Sequence, residues 1–340
     1  MPERLVDRDP VVPADQLVAQ MVPPPMFDEV SFASYIPDSN EPSQAQAVRA
    51  AELFATKVPE LREGKRSLFG KRKPAHGAGL YLDGGFGVGK THLLASIYHA
   101  VARHGHATFG TFVELTHLVG ALGFAKAVEK LAESAVLCID EFELDDPGDT
   151  MLVSRLLTEL SARGVSIAAT SNTLPGQLGE GRFAAQDFLR EIKKLAGIFE
   201  AVRVDGPDYR HRDLPPAPQP LTDAELTARA EATPGATADD FDQLCDYLAT
   251  LHPSRYKELV KNVGAVFIRG VHPVADQAVA LRLVVLADRL YDASIPVTVS
   301  GAKLDEIFTQ EMLDGGYRKK YLRATSRLLA LSRFATGVTS

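Results

Sequence analysis

A glycine-rich run that ends in lysine and threonine is the strongest chemical signal in this sequence. It reads Gly-Gly-Phe-Gly-Val-Gly-Lys-Thr over residues 84–91 and follows a short apolar run, residues 79–83. Glycines let backbone N–H groups come close to a phosphate chain, and a helix that begins after them turns its partly positive amino end toward the same anion. A strand, such a loop and a helix in succession predict a P-loop, which holds a nucleotide triphosphate.

The polar residues at the end of this run predict how the phosphates and a cation are held. Lys90 is expected to reach the β- and γ-phosphates as part of the catalytic set, and the Thr91 hydroxyl to ligate Mg²⁺. The residues predicted to contact the nucleotide are Gly84, Gly85, Phe86, Gly87, Val88, Gly89, Lys90, Thr91 and His92. A glycine-rich turn that binds nothing is the alternative, and the full match in the right context argues against it.

The second motif is an apolar run followed by two carboxylates, residues 135–142, which is the Walker B pattern. Ligands of open α/β sheets bind at the carboxyl ends of the strands, which is where Asp140 and Glu141 are expected. Asp140 is predicted to hold Mg²⁺, commonly through water, and Glu141 to orient the attacking water as a catalytic residue. An Asp-Glu pair after an apolar run is common on solvated surfaces, but its position after the P-loop favours the catalytic interpretation.

A third apolar run, residues 165–172, ends in Asn172. Its place in the order of motifs is typical of the sensor 1 strand of AAA+ ATPases, which lies between the P-loop strand and the Walker B strand. Asn172 is then expected to be a catalytic residue that hydrogen-bonds the γ-phosphate or the attacking water. The alternative is a turn residue before Leu174 and Pro175.

Phosphoryl transfer to water also needs positive charge near the γ-phosphate, which an arginine commonly supplies. The candidates in this sequence are Arg182, Arg190, Arg210, Arg323 and Arg327. Their ranking stays open at this point, because most arginines are surface residues.

Two other groups of side chains admit more than one interpretation. Phe32 and Tyr35 precede the first predicted strand, so either they flank the adenine ring or they pack on the domain. Acidic residues near the second motif form either a second cation site or a solvated surface or subunit contact. These acidic residues are Glu143, Asp145, Asp146 and Asp149.

Strand and helix patterns alternate between residues 80 and 205. Predicted strands are 80–83, 108–114, 135–140, 165–170 and 199–204. Predicted helices begin near residue 43 and after the P-loop, and then cover 115–134, 149–163 and 184–195. Several strands are apolar throughout, as expected for strands buried on both faces of a parallel sheet. The alternation predicts an α/β fold, with a parallel sheet between two helical layers as in AAA+-type P-loop NTPases.

Proline-rich sequence over residues 205–220 predicts a domain boundary. We therefore expect an N-terminal arm over residues 1–40, a P-loop ATPase core over 41–213 and a C-terminal α/β segment over 214–340. In that last segment, strands are predicted at 265–269 and 296–300. Helices are predicted from residue 222 and at 238–249, 276–291, 303–312 and 317–331.

The composition is that of a globular protein, with 45% hydrophobic and 24% charged residues. A formal net charge of −7 argues against a general affinity for nucleic acid. The two cysteines fit a reducing compartment. No apolar run in the sequence is long enough to span a bilayer and the first residues lack the apolar core of a secretory leader, so we expect a cytoplasmic protein.

Several stretches resemble the ZapE-type ATPases, a family of bacterial cell-division proteins with mitochondrial relatives. The most specific stretch is residues 137–151, which is similar to the family's extended Walker B motif, with Asp146 and Asp149 at its two further aspartates. Other segments that resemble the family are residues 25–27, 32–38, 170–175, 208–210 and 324–328. The resemblance therefore covers most of the chain.

The resemblance implies an AAA+-type ATPase that uses ATP and Mg²⁺ and forms a homo-oligomer when active. It also implies remodelling of a protein partner in bacterial cell division, the ring protein FtsZ, and recruitment to the membrane at the division septum. Two departures mark a divergent branch. Residues 113–120 lack the family's block rich in aromatic residues and histidine, and the usual finger position before Phe188 lacks arginine. Arg182 or Arg190 could substitute for it.

Two other functional classes stay open. One is a nucleotide switch that acts on nucleic acid, like helicase loaders and transposition helpers, which share the same order of motifs; the net charge and the C-terminal segment count against it. The other is a nucleotide-binding adaptor with little turnover, which the missing finger arginine suggests.

Overall fold

The computed structural model describes residues 2–11, 13, 16–63, 76–85, 87–144, 147–178, 189–207 and 218–334. The chain forms two compact units. We call residues 13–209 the P-loop unit, and residues 1–12 together with 210–340 the C-terminal unit. The predicted boundary between residues 213 and 214 lies outside the described residues.

A parallel sheet of five strands forms the middle of the P-loop unit. The strands are β1 (Gly79–Gly84), β2 (Ala107–Thr111), β3 (Val136–Asp140), β4 (Ser166–Ser171) and β5 (Glu200–Val204). Their order across the sheet is β2-β3-β4-β1-β5, so β4 lies between the P-loop strand and the Walker B strand, as predicted. Every residue of β3 and β4 is buried, which is the pattern of strands covered on both faces.

Helices cover both faces of this sheet. They are α1 (Pro42–Glu63), α2 (Lys90–Ala102), α3 (Phe112–Leu122), α4 (Phe124–Leu131), α5 (Pro147–Ala162) and α6 (Leu189–Ala196). Side chains alternate along β1, so Leu80 and Leu82 pack with α1 and α2, whereas Tyr81 packs with α3 to α6 on the other face. The predicted three-layer α/β fold is confirmed.

The connection after β2 differs from the prediction. The strand predicted over residues 108–114 ends at Thr111, whose hydroxyl accepts the Glu114 N–H while the Glu114 carboxylate accepts the Thr111 N–H. This capping box starts α3 three residues earlier than the apolar pattern indicates. The helix predicted over 115–134 is then interrupted at Gly123, whose φ of 77° favours glycine.

The C-terminal unit has a parallel sheet of three strands in the order β6-β7-β8. The strands are β6 (Ala236–Asp240), β7 (Ala265–Val271) and β8 (Val297–Gly301). The helices are α7 (Asp223–Ala232), α8 (Phe241–Thr250), α9 (Tyr256–Leu259), α10 (Gln277–Asp292), α11 (Gln310–Asp314) and α12 (Arg318–Phe334). The predicted α/β character is confirmed. However, β6 replaces the start of the helix predicted over 238–249, because Asp240 caps α8 by accepting the Gln243 N–H.

The first residues of the chain belong to the C-terminal unit, so the arm predicted over residues 1–40 is divided between the two units. Leu5 is fully buried in the core of the C-terminal unit. The Asp239 carboxylate accepts the N–H groups of Leu5 (3.0 Å) and Val6 (3.2 Å), and Glu3 forms a parallel bridge with Thr237 of β6. Burial of one leucine and a backbone pairing at the sheet edge therefore hold this segment.

A buried ion cluster joins α10 and α12 in the C-terminal unit. The Asp288 carboxylate pairs with Arg323 (2.8 Å) and with Arg327. Burial alone raises the pKa of Asp288, but the two guanidinium groups outweigh it and hold that pKa below its ordinary value. Two of the five arginines considered for the nucleotide site are thus engaged with a carboxylate in this core.

Replacing Asp288 by Asn should lower the free energy of unfolding by about 3–5 kcal/mol, because it removes the buried carboxylate that pairs with both guanidinium groups. Urea denaturation of the purified protein measures this, with Asp305→Asn on the exposed surface as the control. Because the folded-state pKa of Asp288 is lowered, the contribution is complete above the ordinary value of 3.8 and is lost as the pH falls through the folded value. Equal stability of Asp288→Asn and wild type at neutral pH contradicts this account.

Candidate nucleotide-binding site

The predicted site residues meet at the carboxyl edge of the five-stranded sheet. The P-loop follows β1, Asp140 ends β3 with Glu141 directly after it, and Asn172 directly follows β4. Since β4 pairs with both β1 and β3, the three strand ends are neighbours. This is the edge at which ligands of open parallel sheets bind.

The P-loop backbone adopts conformations that only glycine tolerates well. Gly87 has a φ of 65° and Gly89 a φ of 84°, and α2 begins at the next residue. A Cβ atom at Gly89 would lie 2.4 Å from the Cε2 atom of Tyr35, so the neighbouring ring also requires glycine there. Phe86 lies outside the described residues.

Lys90 and Asn172 are brought together, as their predicted roles require. The Lys90 ammonium donates to the carbonyl oxygens of Gly84 (2.9 Å) and Gly85, and to Oδ1 of Asn172 (2.9 Å). These bonds place the Lys90 ammonium inside the loop, between its carbonyl oxygens and Asn172.

Thr91 and Asp140 also come together. The Thr91 hydroxyl lies 3.1 Å from Oδ2 and 3.3 Å from Oδ1 of Asp140. Asp140 is buried, with 7% of its surface exposed. Oxygen ligands of this kind fit Mg²⁺, which commonly takes one or two protein oxygens and completes its shell with water and substrate phosphates. In the described part of the chain, no group of three or more acidic, histidine or cysteine side chains forms a metal cage. The residues present therefore fit a magnesium ion shared with a nucleotide.

Glu141 leaves the strand in an unusual backbone conformation. Its φ is 55°, in the left-handed region, and its N–H donates to the Thr170 hydroxyl (3.1 Å). Strained backbone of this kind costs free energy and commonly occurs at functional sites. Sequence reasoning assigned no role to Thr170, because its partners lie 29 and 30 residues away along the chain.

The segment before β1 supports the P-loop directly. The Tyr35 hydroxyl donates to the Val88 carbonyl (2.6 Å), and the Tyr35 ring meets the His92 ring edge-on with centroids 5.5 Å apart. The His92 imidazole lies 3.0 Å from the Ser31 carbonyl oxygen and 3.1 Å from the Ser34 hydroxyl. The predicted nucleotide contact His92 thus turns its ring toward this segment. Of the two interpretations of Tyr35, packing on the domain is the one that these contacts support.

Phe32 likewise packs partly buried against the α1–α2 side of the core. Gln44, which is fully buried at the start of α1, accepts the Asp38 N–H and donates to the Asp205 carbonyl, both at 2.8 Å. The segment before β1 and the segment after β5 are therefore tied to the same side chain. The hydrogen bonds of Tyr35 and Gln44 therefore connect the segments that lie beside the P-loop.

Arg203, which was not among the arginines considered from the sequence, lies beside the end of β1, where the P-loop begins. Arg203 on β5 pairs with Asp83 (2.5 Å), which is in register with it on β1, and with Asp205 (2.7 Å). The hydrogen bonds that Arg203 donates to these two carboxylates raise its pKa. Only the strand register places Asp83 beside Arg203, so no local sequence signal identifies that pair.

The other candidates are distributed as follows. Arg190 is exposed on α6, whereas Arg323 and Arg327 lie in the core of the C-terminal unit. Arg182, Arg210, Asp145 and Asp146 lie outside the described residues. Glu143 is buried, and Asp149 lies in the first turn of α5.

The strand order, the glycine-rich loop after β1 and the carboxylates after β3 define an AAA+-type P-loop NTPase fold. The sequence matches the family model described as AFG1-like ATPase over residues 11–232 and 215–335, so the chain belongs to that family.

Curated relatives agree with the resemblance to ZapE-type ATPases. The chain is 36% identical over 166 residues to Cell division protein ZapE of Escherichia coli (strain K12), covering 45% of this chain and 44% of that protein. It is 27% identical over 302 residues to Lactation elevated protein 1 homolog B of Danio rerio, covering 72% of this chain and 59% of that protein. The matches thus span roughly half the length of these relatives. Among solved structures, DnaI matches with a TM-score of 0.44 and 20% identity, over 57% of this chain and 98% of that chain.

Replacing Tyr35 by Phe should weaken nucleotide binding roughly 3- to 10-fold, because the Val88 carbonyl loses one hydrogen bond that fixes the loop. Isothermal titration with a non-hydrolysable ATP analogue measures the dissociation constant. Tyr98→Phe is the matched control, since Tyr98 lies further along α2 and contacts the rings of His99 and Phe109. An unchanged dissociation constant for Tyr35→Phe rules out this support.

Proposed function

We propose that this chain binds ATP with Mg²⁺, hydrolyses it as a homo-oligomer, and uses the cycle to remodel a protein partner in bacterial cell division. One observation carries the enzymatic part. Lys90 meets Asn172, and Thr91 meets Asp140, at one edge of the sheet with Glu141 beside them. These residues come from three strand ends, and hydrolysis of a triphosphate requires all of their chemical types.

The residues divide the work of phosphoryl transfer between them. Lys90 and the P-loop N–H groups bind the phosphate chain, and Thr91 with Asp140 holds the cation. Bound Mg²⁺ supplies charge neutralisation between the phosphates. Glu141 accepts a hydrogen bond from the attacking water and so orients it. Asn172, which accepts a hydrogen bond from Lys90, would donate from its amide to the γ-phosphate.

Similarity to the E. coli cell-division protein supports the partner part of the proposal. On this proposal FtsZ is the partner, and the chain acts in the cytoplasm with recruitment to the division site. Among the helices that the structure describes, none combines the length and apolarity needed to cross a membrane. The net charge of −7 gives no support to a general nucleic-acid partner.

Replacing Glu141 by Gln should leave ATP affinity within about 3-fold of wild type and lower kcat by at least about 100-fold, because the oriented water is lost. Lys90→Ala should instead abolish binding, since the phosphates lose their cation. Fluorescent-nucleotide titration and phosphate release, measured on the same preparations, separate the two effects.

The same two variants test the partner. With ATP present, Glu141→Gln should retain purified FtsZ in a pull-down, and Lys90→Ala should not. If the two variants retain equal amounts of FtsZ, the nucleotide cycle does not control binding of that partner.

Full turnover by Glu141→Gln contradicts the catalytic role assigned to Glu141.

Turnover per chain should rise with protein concentration and level off once assembly is complete, because an arginine from a neighbouring subunit completes each site. Phosphate release is measured from well below to well above the assembly midpoint found by light scattering. Turnover that is independent of assembly contradicts the shared site. Binding without Mg²⁺-dependent turnover at any concentration identifies an adaptor instead of an enzyme.

A further inference from the structure

The Thr170 side chain occupies a position that none of the predicted roles uses. Thr170 lies near the carboxyl end of β4, between the P-loop strand and the Walker B strand, and is 1% exposed. Its ordinary role would be to fill the core, for which valine has nearly the same shape. The hydrogen bonds of its hydroxyl argue for more than filling space.

This hydroxyl serves both Walker B residues at once. It donates to Oδ1 of Asp140 and accepts the N–H of Glu141 at 3.1 Å. A hydroxyl has one donor and two acceptor positions, so a single oxygen can make both bonds, and only serine can replace threonine in this. The bond to Asp140 is charge-assisted and buried, which makes it stronger than a bond between neutral groups.

The first bond sets the direction of the Asp140 carboxylate. With Oδ1 engaged by Thr170, rotation about the last side-chain torsion is restricted. Oδ2 then lies 3.1 Å from the Thr91 hydroxyl, the other predicted magnesium ligand. The hydrogen bond from Thr170 therefore turns one carboxylate oxygen toward the cation position.

The second bond fixes the backbone at Glu141. The φ of 55° at this residue is unfavourable for a side chain with a Cβ atom, so it needs compensation from its surroundings. The next peptide is anchored on the same residue, because the Phe142 N–H donates to the Thr170 carbonyl at 2.7 Å. Two successive N–H groups of the Walker B segment are thus held by one residue of β4.

We propose that Thr170 is a positioning residue for hydrolysis, which aims Asp140 at the cation and holds Glu141 in the geometry that orients water. This inference rests on the proposed ATPase function. Asn172 follows two residues later on the same strand end and binds Lys90. The end of β4 therefore holds the Walker B carboxylates and the P-loop lysine in one fixed arrangement.

The test uses the full chain with Thr170→Val, which keeps the shape, and Thr170→Ser, which keeps the hydroxyl. Thr170→Val should lower kcat about 10- to 100-fold, as loss of a partner that orients a metal ligand commonly does, and should weaken the Mg²⁺ dependence of ATP-analogue binding. Binding of the analogue without Mg²⁺ should stay unchanged, and Thr170→Ser should restore most of the activity. Thr108→Val is the matched control, because Thr108 is a buried threonine on β2 whose hydroxyl lies 2.6 Å from that of Ser134.

A readout without nucleotide separates this inference from the proposed function. Hydrogen exchange at the Glu141 amide should be accelerated about 10-fold in Thr170→Val, the effect of losing one hydrogen bond, and not in Thr170→Ser or Thr108→Val. Absence of turnover in the wild type contradicts the proposed function. The exchange measurement still tests whether the Thr170 hydroxyl holds the Glu141 backbone. If Thr170→Val keeps wild-type kcat, or keeps wild-type exchange at Glu141, Thr170 only fills the core.

Discussion

The position of β4 between β1 and β3 is the constraint on which the rest of the nucleotide site depends. Neighbouring strands lie about 4.8 Å apart, so side chains from adjacent strand ends reach each other, whereas those separated by a further strand do not. β4 is in register with β1 at Asp83 and Ser171, and with β3 at Ile139 and Ala169. Asn172 can therefore bind Lys90 on one side while the same strand binds the Walker B residues on the other. A strand order without this insertion leaves those groups too far apart.

Side-chain alternation then decides which residues face the P-loop helix. On β3, Val136 and Cys138 pack in the cluster that contains α2, whereas Leu137 and Ile139 pack in the cluster on the opposite face. The two-residue period continues to Asp140, which places its carboxylate on the α2 face beside Thr91. On β4, the same alternation places Ala168 and Thr170 on that face of the sheet. Apolar packing of the strands therefore positions the polar groups at their ends.

Much of this arrangement could be predicted from the sequence, because it follows from local signals. The apolar strands, the glycine-rich loop and the polar residues after each strand predicted the fold. They also predicted that the nucleotide site contains Lys90, Thr91, Asp140 and Asn172. The prediction was wrong for β6, whose Ala-Thr-Ala-Asp-Asp sequence carries little strand signal. This strand pairs with β7 and, through one bridge, with Glu3 at the start of the chain. Thr170 and Arg203 were missed, and the choice between the two interpretations of Tyr35 stayed open, because their roles depend on partners that only the strand register and chain path bring close.

Burial distinguishes the arginines that can act on a phosphate from those that hold the fold. Arg323 and Arg327 have side chains that are 6% and 12% exposed and both pair with Asp288, so moving either one breaks a buried ion pair. Arg203 is half exposed, but its pairing with Asp83 and Asp205 holds the end of β1 to the end of β5. Arg190 is exposed on α6, where redirecting a side chain costs little. On the proposed function, an arginine that completes the site of a neighbouring subunit needs a side chain that can reorient, and among the described candidates Arg190 meets that condition.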